Sequence, residues 1–266
     1  MISRTGKVFS IALSAAMLFA CSVTFASAEG NANLYRYQKN DSGETYGNNL
    51  QAKQLGYEAE LILAVGEGGT TGYVRTSDLN GEEPSSPEEA QTLQEERIKN
   101  GDTGRYIPLY ESNGETIIGT FKVEFNPSEK SNAPQLYSTD PPSDGYAYGN
   151  AGYIDTPGYS YCNFSGIKKA AGGVRGKTMI QTRNGTMFPI SQVGAKVRIY
   201  RVKDGALVRE TDWYYNTSVE SSFEQTAYYL TITGNDFYCE GSTREWNSEI
   251  SQYWTHSSFR SKNVKS

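Results

Sequence analysis

Histidine is almost absent from this sequence: His256 is the only one among 266 residues. Zinc sites are built from several histidine, cysteine or carboxylate ligands, so a site that needs two histidines is excluded. A serine or cysteine nucleophile activated by histidine would have to use His256, and nothing around it supports that role or a pairing with Cys162. We therefore expect no catalytic residue, no metal and no cofactor, and we predict that His256 is an ordinary strand residue.

Dense patches of lysine and arginine are also lacking, as are long apolar runs after residue 28. The first absence argues against a nucleic-acid partner, and the second argues against a membrane span in the mature chain. The charge that is present is unevenly placed. Residues 29–128 contain 17 acidic and 8 basic side chains, whereas residues 129–266 contain 13 and 15. This asymmetry favours a boundary between two differently charged parts.

The N-terminal segment has the parts of a secretory signal peptide. A short cationic start precedes the mostly apolar residues 8–25, and Ala26-Ser27-Ala28 provides small residues for a signal peptidase. We predict a secreted, extracellular protein that is cleaved after Ala28. A lipoprotein anchored through Cys21 is the less favoured alternative, because bulky Phe19 and the apolar residues after Cys21 do not suit a lipoprotein cleavage site.

Two cysteines remain after that cleavage, Cys162 and Cys239. Outside the cytoplasm such a pair can form a disulfide, and closing a loop of this length would contribute about 4–5 kcal/mol in the chain-entropy model. Two buried thiols are the alternative. The sequence leaves both open, because it does not show whether the two positions are adjacent.

A proline-rich stretch divides the mature chain. Residues 126–145 contain four prolines and no hydrophobic periodicity, which is typical of a disordered linker. Residues 29–125 predict a small, acidic α+β module, whose helix begins after the N-cap Ser86 and ends near Lys99. Residues 146–266 contain several short strand patterns separated by turn residues, which predicts an all-β antiparallel sandwich.

The clearest hairpin of the second module surrounds Lys203-Asp204-Gly205. A three-residue loop there places Arg198 opposite Glu210, which matches opposite charges. In that register Tyr214 lies on the same charged face as Glu210. We expect this face to meet water, with Tyr214 exposed and Trp213 turned toward the core.

Both halves resemble known groups of proteins. The first contains TYG at 45–47, then AVGEGGTTGYVRTSDLNGEEP, SPEEA and IPLYESNGETIIGTF. From about Thr45 to Val123 it resembles an uncharacterised extracellular module of Gram-positive secreted and membrane-anchored proteins, some similar to antirepressor-type zinc metallopeptidases. The resemblance implies no catalytic residues, and the chain has no peptidase portion. The second half, with VGAKVRIYRVKDGALVRETDWYYN, is similar to small uncharacterised secreted β-proteins of the same bacteria.

Two patterns could indicate chemistry. Residues 171–178 loosely fit a phosphate-binding loop, but residues 179–185 predict a strand and a turn where a nucleotide site needs a helix. We interpret the stretch as a glycine-rich turn. Paired carboxylates for glycoside cleavage stay open, because their pairing is spatial. The glutamates considered are Glu220, Glu224, Glu240, Glu245 and Glu249.

Aromatic residues are abundant, with 20 tyrosines and 3 tryptophans that often stand in consecutive pairs. Neighbours along a strand point to opposite faces, so one residue of each pair can remain outside the core. Exposed tyrosine and tryptophan suit contact with sugars or peptides. We predict binding residues at Trp246, Trp254 and Tyr214.

These observations favour a secreted, non-catalytic binding or interaction protein. Its expected partner is a cell-wall glycan or another extracellular protein. One alternative is a secreted hydrolase that acts through carboxylates. Another is a bacteriocin-like or host-directed effector.

Overall fold

A computed structural model describes residues 36–127, 139–231 and 234–266. The predicted signal peptide, residues 1–28, lies outside the described residues, and so does residue range 128–138 of the predicted linker. The described part of the chain is mostly β, with large antiparallel sheets. This confirms the β-rich class.

Short elements alternate along the chain. The helices described are α1 (Asn49–Leu55), α2 (Thr76–Leu79) and α3 (Pro87–Lys99), with a 3-10 turn at Glu67–Gly69. The strands before the linker are β1 (Gln38–Lys39), β2 (Thr45–Gly47), β3 (Leu61–Val65), β4 (Thr71–Arg75), β5 (Gly104–Tyr110) and β6 (Ile117–Glu124). The strands after it are β7 (Ala147–Tyr148), β8 (Gly152–Thr156), β9 (Tyr159–Ala170), β10 (Gly173–Thr182), β11 (Val193–Lys196), β12 (Arg198–Arg201), β13 (Leu207–Thr211), β14 (Tyr214–Tyr215), β15 (Ser222–Leu230), β16 (Asp236–Cys239), β17 (Ser242–Asn247), β18 (Gln252–Ser257) and β19 (Val264–Lys265).

The described strands form three sheets. Sheet I has the order β1-β2-β3-β4-β5-β6-β13-β12-β16-β19, sheet II the order β15-β10-β9-β7 with β8 also paired to β9, and sheet III the order β14-β11-β17-β18. The pairs are antiparallel except where β3 meets β2 and β13, and where β6 meets β13.

Sheet I crosses the predicted boundary between the two modules. β13 lies beside β6, with Glu210 opposite Val123, and it also meets β3, with Leu207 opposite Ala64. Buried side chains from both sides of the linker join one core cluster, which includes Ile62, Phe121, Val123, Tyr200, Leu207 and Tyr238. Residues Tyr35–Ser266 form one compact unit. The sequence left open whether the two modules touch; in the structure they share one sheet and one core, because the last strand before the linker pairs with a strand after it.

Sheet II packs face to face against the other two sheets. Its Ile167 and Val174 share a buried cluster with Ile199 and Val208 of sheet I. A second cluster joins sheet II to sheet III through Tyr161, Ile180, Val193 and Ala195. These two clusters therefore lie between stacked sheets, as in a sandwich.

Helix α3 has the ends expected from the sequence. The Ser86 hydroxyl accepts a hydrogen bond from the Glu89 N–H at 3.2 Å, and the helix is capped by Asn100. The buried Gln94 fixes the helix to sheet III: its amide accepts from the Tyr215 N–H at 2.8 Å and donates to the Tyr215 carbonyl at 3.2 Å. This contact brings α3 beside the segment that follows β13.

Candidate functional site

The hairpin between β12 and β13 turns at the predicted position, but its loop is one residue longer than expected: the Arg201 N–H donates to the Ala206 carbonyl at 2.9 Å, so the loop spans residues 202–205. Gly205 has a φ of +67°, in the left-handed region that favours glycine. Arg198 lies opposite Glu210, which confirms that pairing. A bulge between Ile199 and Tyr200 then shifts the register, so Tyr200 lies opposite Leu207.

The face that contains Glu210 is buried, and the prediction that it meets water was wrong. Glu210 is 0% exposed, and its carboxylate lies 2.8 Å from Lys196 Nζ and 2.9 Å from Arg198 Nε. Burial by itself raises the pKa of this carboxyl, but the positive charges of Arg198 and Lys196 outweigh burial and hold the pKa of Glu210 below its ordinary value. A charged strand position can therefore face the interior when two cations neutralise it.

Tyr214 is buried and Trp213 is half-buried, which is the reverse of the prediction. Strand β13 ends at Thr211, and Asp212 and Trp213 lie between it and β14. Tyr214 is therefore not part of β13, and the alternation of side chains along β13 does not determine which face Tyr214 occupies. The Tyr214 side chain is 4% exposed and stacks on Phe223 with ring centroids 6.1 Å apart. Trp213 instead lies between two surface clefts.

The first of these, cleft A, has a volume of about 470 Å³ and lies between α3 and the segment after β13. Asp212 is held in it by two guanidinium groups, with Arg97 Nη2 at 3.0 Å and Arg105 Nη2 at 3.2 Å. Arg97 also lies 2.7 Å from Asp102. The apolar and aromatic lining consists of Pro84, Ala90, Leu93, Phe125, Trp213 and Tyr215.

Cleft B, of about 600 Å³, lies on the other side of Trp213 and is lined mainly by charged and polar side chains. The buried Glu240 carboxylate is paired with Lys53 and accepts a hydrogen bond from the Asn49 amide at 3.2 Å. Arg198 Nη1 lies 2.5 Å from Glu58. Burial lowers the pKa of Lys53. Cleft B therefore presents both signs of charge, largely in pairs.

Arg244 of β17 lies behind Trp213, the residue that lines both clefts, and itself lines neither. Its guanidinium carbon is 3.9 Å from the ring centroid of Trp213, and 5.1 Å from those of Tyr215 and Tyr253. Its Nη1 lies 2.5 Å from the carboxylate of Glu83. Only 2% of the Arg244 side chain is exposed. Three aromatic rings and one carboxylate therefore enclose a buried positive charge.

Trp246 and Trp254 flank the turn of the β17–β18 hairpin, on opposite faces. Trp246 lies opposite Tyr253 and Trp254 lies opposite Glu245. Trp246 packs on Tyr253 with ring centroids 5.1 Å apart, whereas Trp254 is 36% exposed. Neither tryptophan lines cleft A or cleft B. Their predicted binding role stays a prediction, and the two do not share one surface.

Cys162 and Cys239 are free, buried thiols, so the disulfide considered from the sequence is not formed. Cys239 packs between sheets I and II, while Cys162 belongs to a different buried cluster, with Tyr148 and Phe164. Burial raises the pKa of Cys239 to about 11 and also raises the pKa of Cys162. Both effects disfavour the reactive thiolate.

We therefore expect both thiols of the mature protein to resist alkylation at pH 8 in native buffer. Both should react once the protein is unfolded in guanidinium chloride without reductant. Mass spectrometry after iodoacetamide treatment counts the labels. A disulfide would leave the unfolded, unreduced protein unlabelled, and accessible thiols would label rapidly in native buffer.

His256 lies in β18, as predicted for a strand residue. Its Nε2 is 3.1 Å from the buried carboxylate of Glu245, which also accepts a hydrogen bond from the Tyr161 hydroxyl. Burial and the neighbouring charge of Glu245 raise the pKa of Tyr161. Thr255 and Ser257, on either side of His256, line cleft B. His256 therefore points away from that cleft, on the opposite face of its strand.

The glutamates considered for hydrolysis do not converge on one described cleft. Glu240 lines cleft B, where it is paired with Lys53. Glu224 lies 2.7 Å from Lys177 Nζ in a third cleft. Glu245 faces His256, and Glu249 is exposed in the hairpin turn.

Among the residues described, no helix is long and apolar enough to cross a membrane. The same residues contain no group of three or more histidine, cysteine, aspartate and glutamate side chains that could hold a metal ion. No protein-family model, curated protein or solved structure matches the chain. The family resemblances seen in the sequence therefore stay predictions.

Proposed function

We propose that the protein is a secreted, non-catalytic binding protein whose ligand, a cell-wall glycan, occupies clefts A and B beside Trp213. The two volumes, about 470 and 600 Å³, fall in the range of about 300–1,000 Å³ that is common for ligand sites. Cleft A combines aromatic rings with guanidinium, carboxylate and amide groups. This combination offers apolar contact and hydrogen bonds to a sugar ring.

One observation favours binding over hydrolysis: the buried carboxylates of both clefts are already paired with cations. Asp212 has Arg97 and Arg105 on its two oxygens, and Glu240 has Lys53. At the edge of cleft A, burial tends to raise the pKa of Asp102, but the Gly104 N–H and Arg97 outweigh burial and lower it. A glycosidase needs a carboxylic acid with a raised pKa as proton donor. The paired carboxylates therefore support binding over hydrolysis.

Replacing Trp213 by alanine is expected to weaken retention on purified peptidoglycan about tenfold or more, because an aromatic anchor in a binding site contributes about 2 kcal/mol. Sedimentation with insoluble peptidoglycan at increasing protein concentration measures the change. Tyr106→Ala is the matched control, since Tyr106 is 62% exposed and lines neither cleft. Retention that survives Trp213→Ala but is lost in Trp254→Ala would move the site to the β17–β18 hairpin.

The two alternative functions predict different results when the protein is incubated with the same purified peptidoglycan. A carboxylate-dependent hydrolase would release reducing sugars from peptidoglycan, and Glu240→Gln would stop the release if cleft B were the active site. A bacteriocin-like or host-directed effector would bind a protein receptor and show no retention on peptidoglycan. Retention without release is the result expected here.

Secretion is part of the proposal and rests on the N-terminal sequence pattern. Protein collected from the culture medium of a Gram-positive host is expected to begin at Glu29, as measured by intact mass. A lipid-modified protein that stays with the cells and begins at Cys21 would show the lipoprotein alternative to be correct.

A further inference from the structure

Arg244 has more buried hydrogen-bond donors than the described residues use. A guanidinium group has five N–H donors. Nη1 of Arg244 contacts Glu83, whereas Nε and Nη2 are buried and have no hydrogen-bond partner. The hydroxyl of Tyr215, whose ring lies beside this guanidinium, is also buried without a partner. Unused buried donors are unfavourable, so their presence directly behind the cleft residues Trp213 and Glu83 indicates a place for an acceptor.

Arg244 lines neither cleft, but residues that contact it or share its strand face do. Arg244 lies opposite Thr255 in the β17–β18 ladder. It shares a face of the hairpin with Ser242 and Ser257, since residues two apart along a strand face the same way. Thr255, Ser242 and Ser257 all line cleft B. Trp213, which covers the guanidinium, lines both clefts.

Glu83 is the group that stands between Arg244 and the solvent. It belongs to the connection between α2 and α3, it lines cleft B, and 58% of its side chain is exposed. Its carboxylate reaches Nη1 of Arg244 only. A free carboxylate can bind a guanidinium through two parallel hydrogen bonds, which is a stronger arrangement. The carboxylate of a ligand can therefore take the place of Glu83 on Arg244.

We propose that the ligand of these clefts is an acidic saccharide, whose carboxylate replaces Glu83 and binds Arg244. This inference rests on the proposed function and specifies that the bound glycan carries a negative charge. When Glu83 moves away, the four cations Arg244, Lys53, Lys196 and Arg198 are balanced by only three carboxylates, those of Glu58, Glu240 and the buried Glu210, so one positive charge, that of Arg244, is left without a counter-ion. The aromatic rings around Arg244 provide apolar contact for the sugar ring that carries the acid.

The test compares two probes that differ in one charge: the disaccharide N-acetylglucosaminyl-N-acetylmuramic acid and its neutral methyl ester. Titration calorimetry of the mature protein is expected to give at least about tenfold tighter binding of the acid. Glu83→Gln removes the competing carboxylate and should tighten the acid several-fold while leaving the ester unchanged. Glu115→Gln is the matched control, because Glu115 is exposed and lines neither cleft.

Arg244→Lys keeps the charge but not the two-point geometry, and it should reduce the preference for the acid. A thermal melt checks that this variant is folded. If it is not, the inference is tested by Glu83→Gln alone, because Glu83 is exposed and its replacement should not unfold the protein. Equal binding of acid and ester by the wild type would overturn the inference while the binding function survived. Weaker or unchanged binding of the acid by Glu83→Gln would also overturn the inference. So would tighter binding of the peptide carboxylate N-acetyl-D-alanyl-D-alanine than of the acidic disaccharide. Binding of neither disaccharide would remove the proposed glycan function together with the inference.

Discussion

Replacement of Glu210 by glutamine is expected to lower the free energy of unfolding by about 3–5 kcal/mol, which is the usual effect of removing one partner of a buried ion pair. Glu210 is completely buried, and its carboxylate neutralises Lys196 and Arg198, which are 4% and 12% exposed. The amide keeps the size of the side chain, but it leaves the buried Lys196 without its counter-charge and leaves Arg198 with only the partly exposed Glu58. Urea unfolding followed by tyrosine and tryptophan fluorescence measures the difference.

The effect of Glu210 should depend on pH in a defined direction. Its pKa in the folded protein lies below its ordinary value, which is about 4.3 for an unperturbed glutamate. The stabilisation by Glu210 is therefore fully present above about pH 4.3 and is lost as the pH falls through the folded-state pKa. The gap between wild type and Glu210→Gln should shrink on acidification.

Asp155→Asn is the matched control for this experiment. Asp155 lies 3.0 Å from Arg183, but its side chain is 70% exposed, so solvent screens the pair. The stability of this variant should stay close to that of the wild type at every pH. A Glu210→Gln variant as stable as wild type at pH 7 would show that the carboxylate is not a buried counter-ion.

Local sequence patterns predicted local structure well. The N-cap at Ser86 and the left-handed Gly205 each follow from the conformational preference of one or two residue types. In the stretch at 171–178, only residues 171–172 form the expected turn, because β10 already begins at Gly173. These features needed no knowledge of distant parts of the chain.

Burial of charged residues could not be predicted in the same way. The prediction that Glu210 and Tyr214 lie on an exposed face assumed that charged side chains must contact water. Asp212, however, is neutralised by Arg97 and Arg105, which are more than a hundred residues earlier in the chain. The strand break at Asp212 then reversed the orientations of Trp213 and Tyr214. Such pairings are spatial, and a single sequence contains no pattern for them.

The candidate site was missed for the same reason. The sequence predicts a core position for Trp213, and no pattern in it marks Arg244 or Glu83 as a site residue. Their approach depends on α3 and the connection before it lying against sheet III, through the contact of Gln94 with Tyr215. That contact joins parts of the chain that composition separates into two modules.

A cut within residues 128–138 is expected to leave one folded protein made of two bound fragments. The described residues on either side share sheet I and one core, in which Ile62 and Val123 pack with Leu207 and Tyr200. Burying an aliphatic or aromatic side chain contributes about 1.5–3 kcal/mol each. The free energy gained by burying these four side chains is therefore comparable to the net free energy of unfolding of a typical domain, about 5–15 kcal/mol. Neither fragment should keep its fold alone.

The experiment inserts a protease site between residues 132 and 133 and compares the cut with the uncut protein. After cutting, the fragments should elute together in size-exclusion chromatography and unfold in one urea transition. Fragments separated in urea and returned to buffer singly should lose their near-ultraviolet circular dichroism and regain it on mixing. The uncut insertion variant controls for the insertion itself. Fragments that part in native buffer, each with a cooperative unfolding transition, would instead show two independent modules, because a shared core cannot be divided without exposing its apolar residues to water.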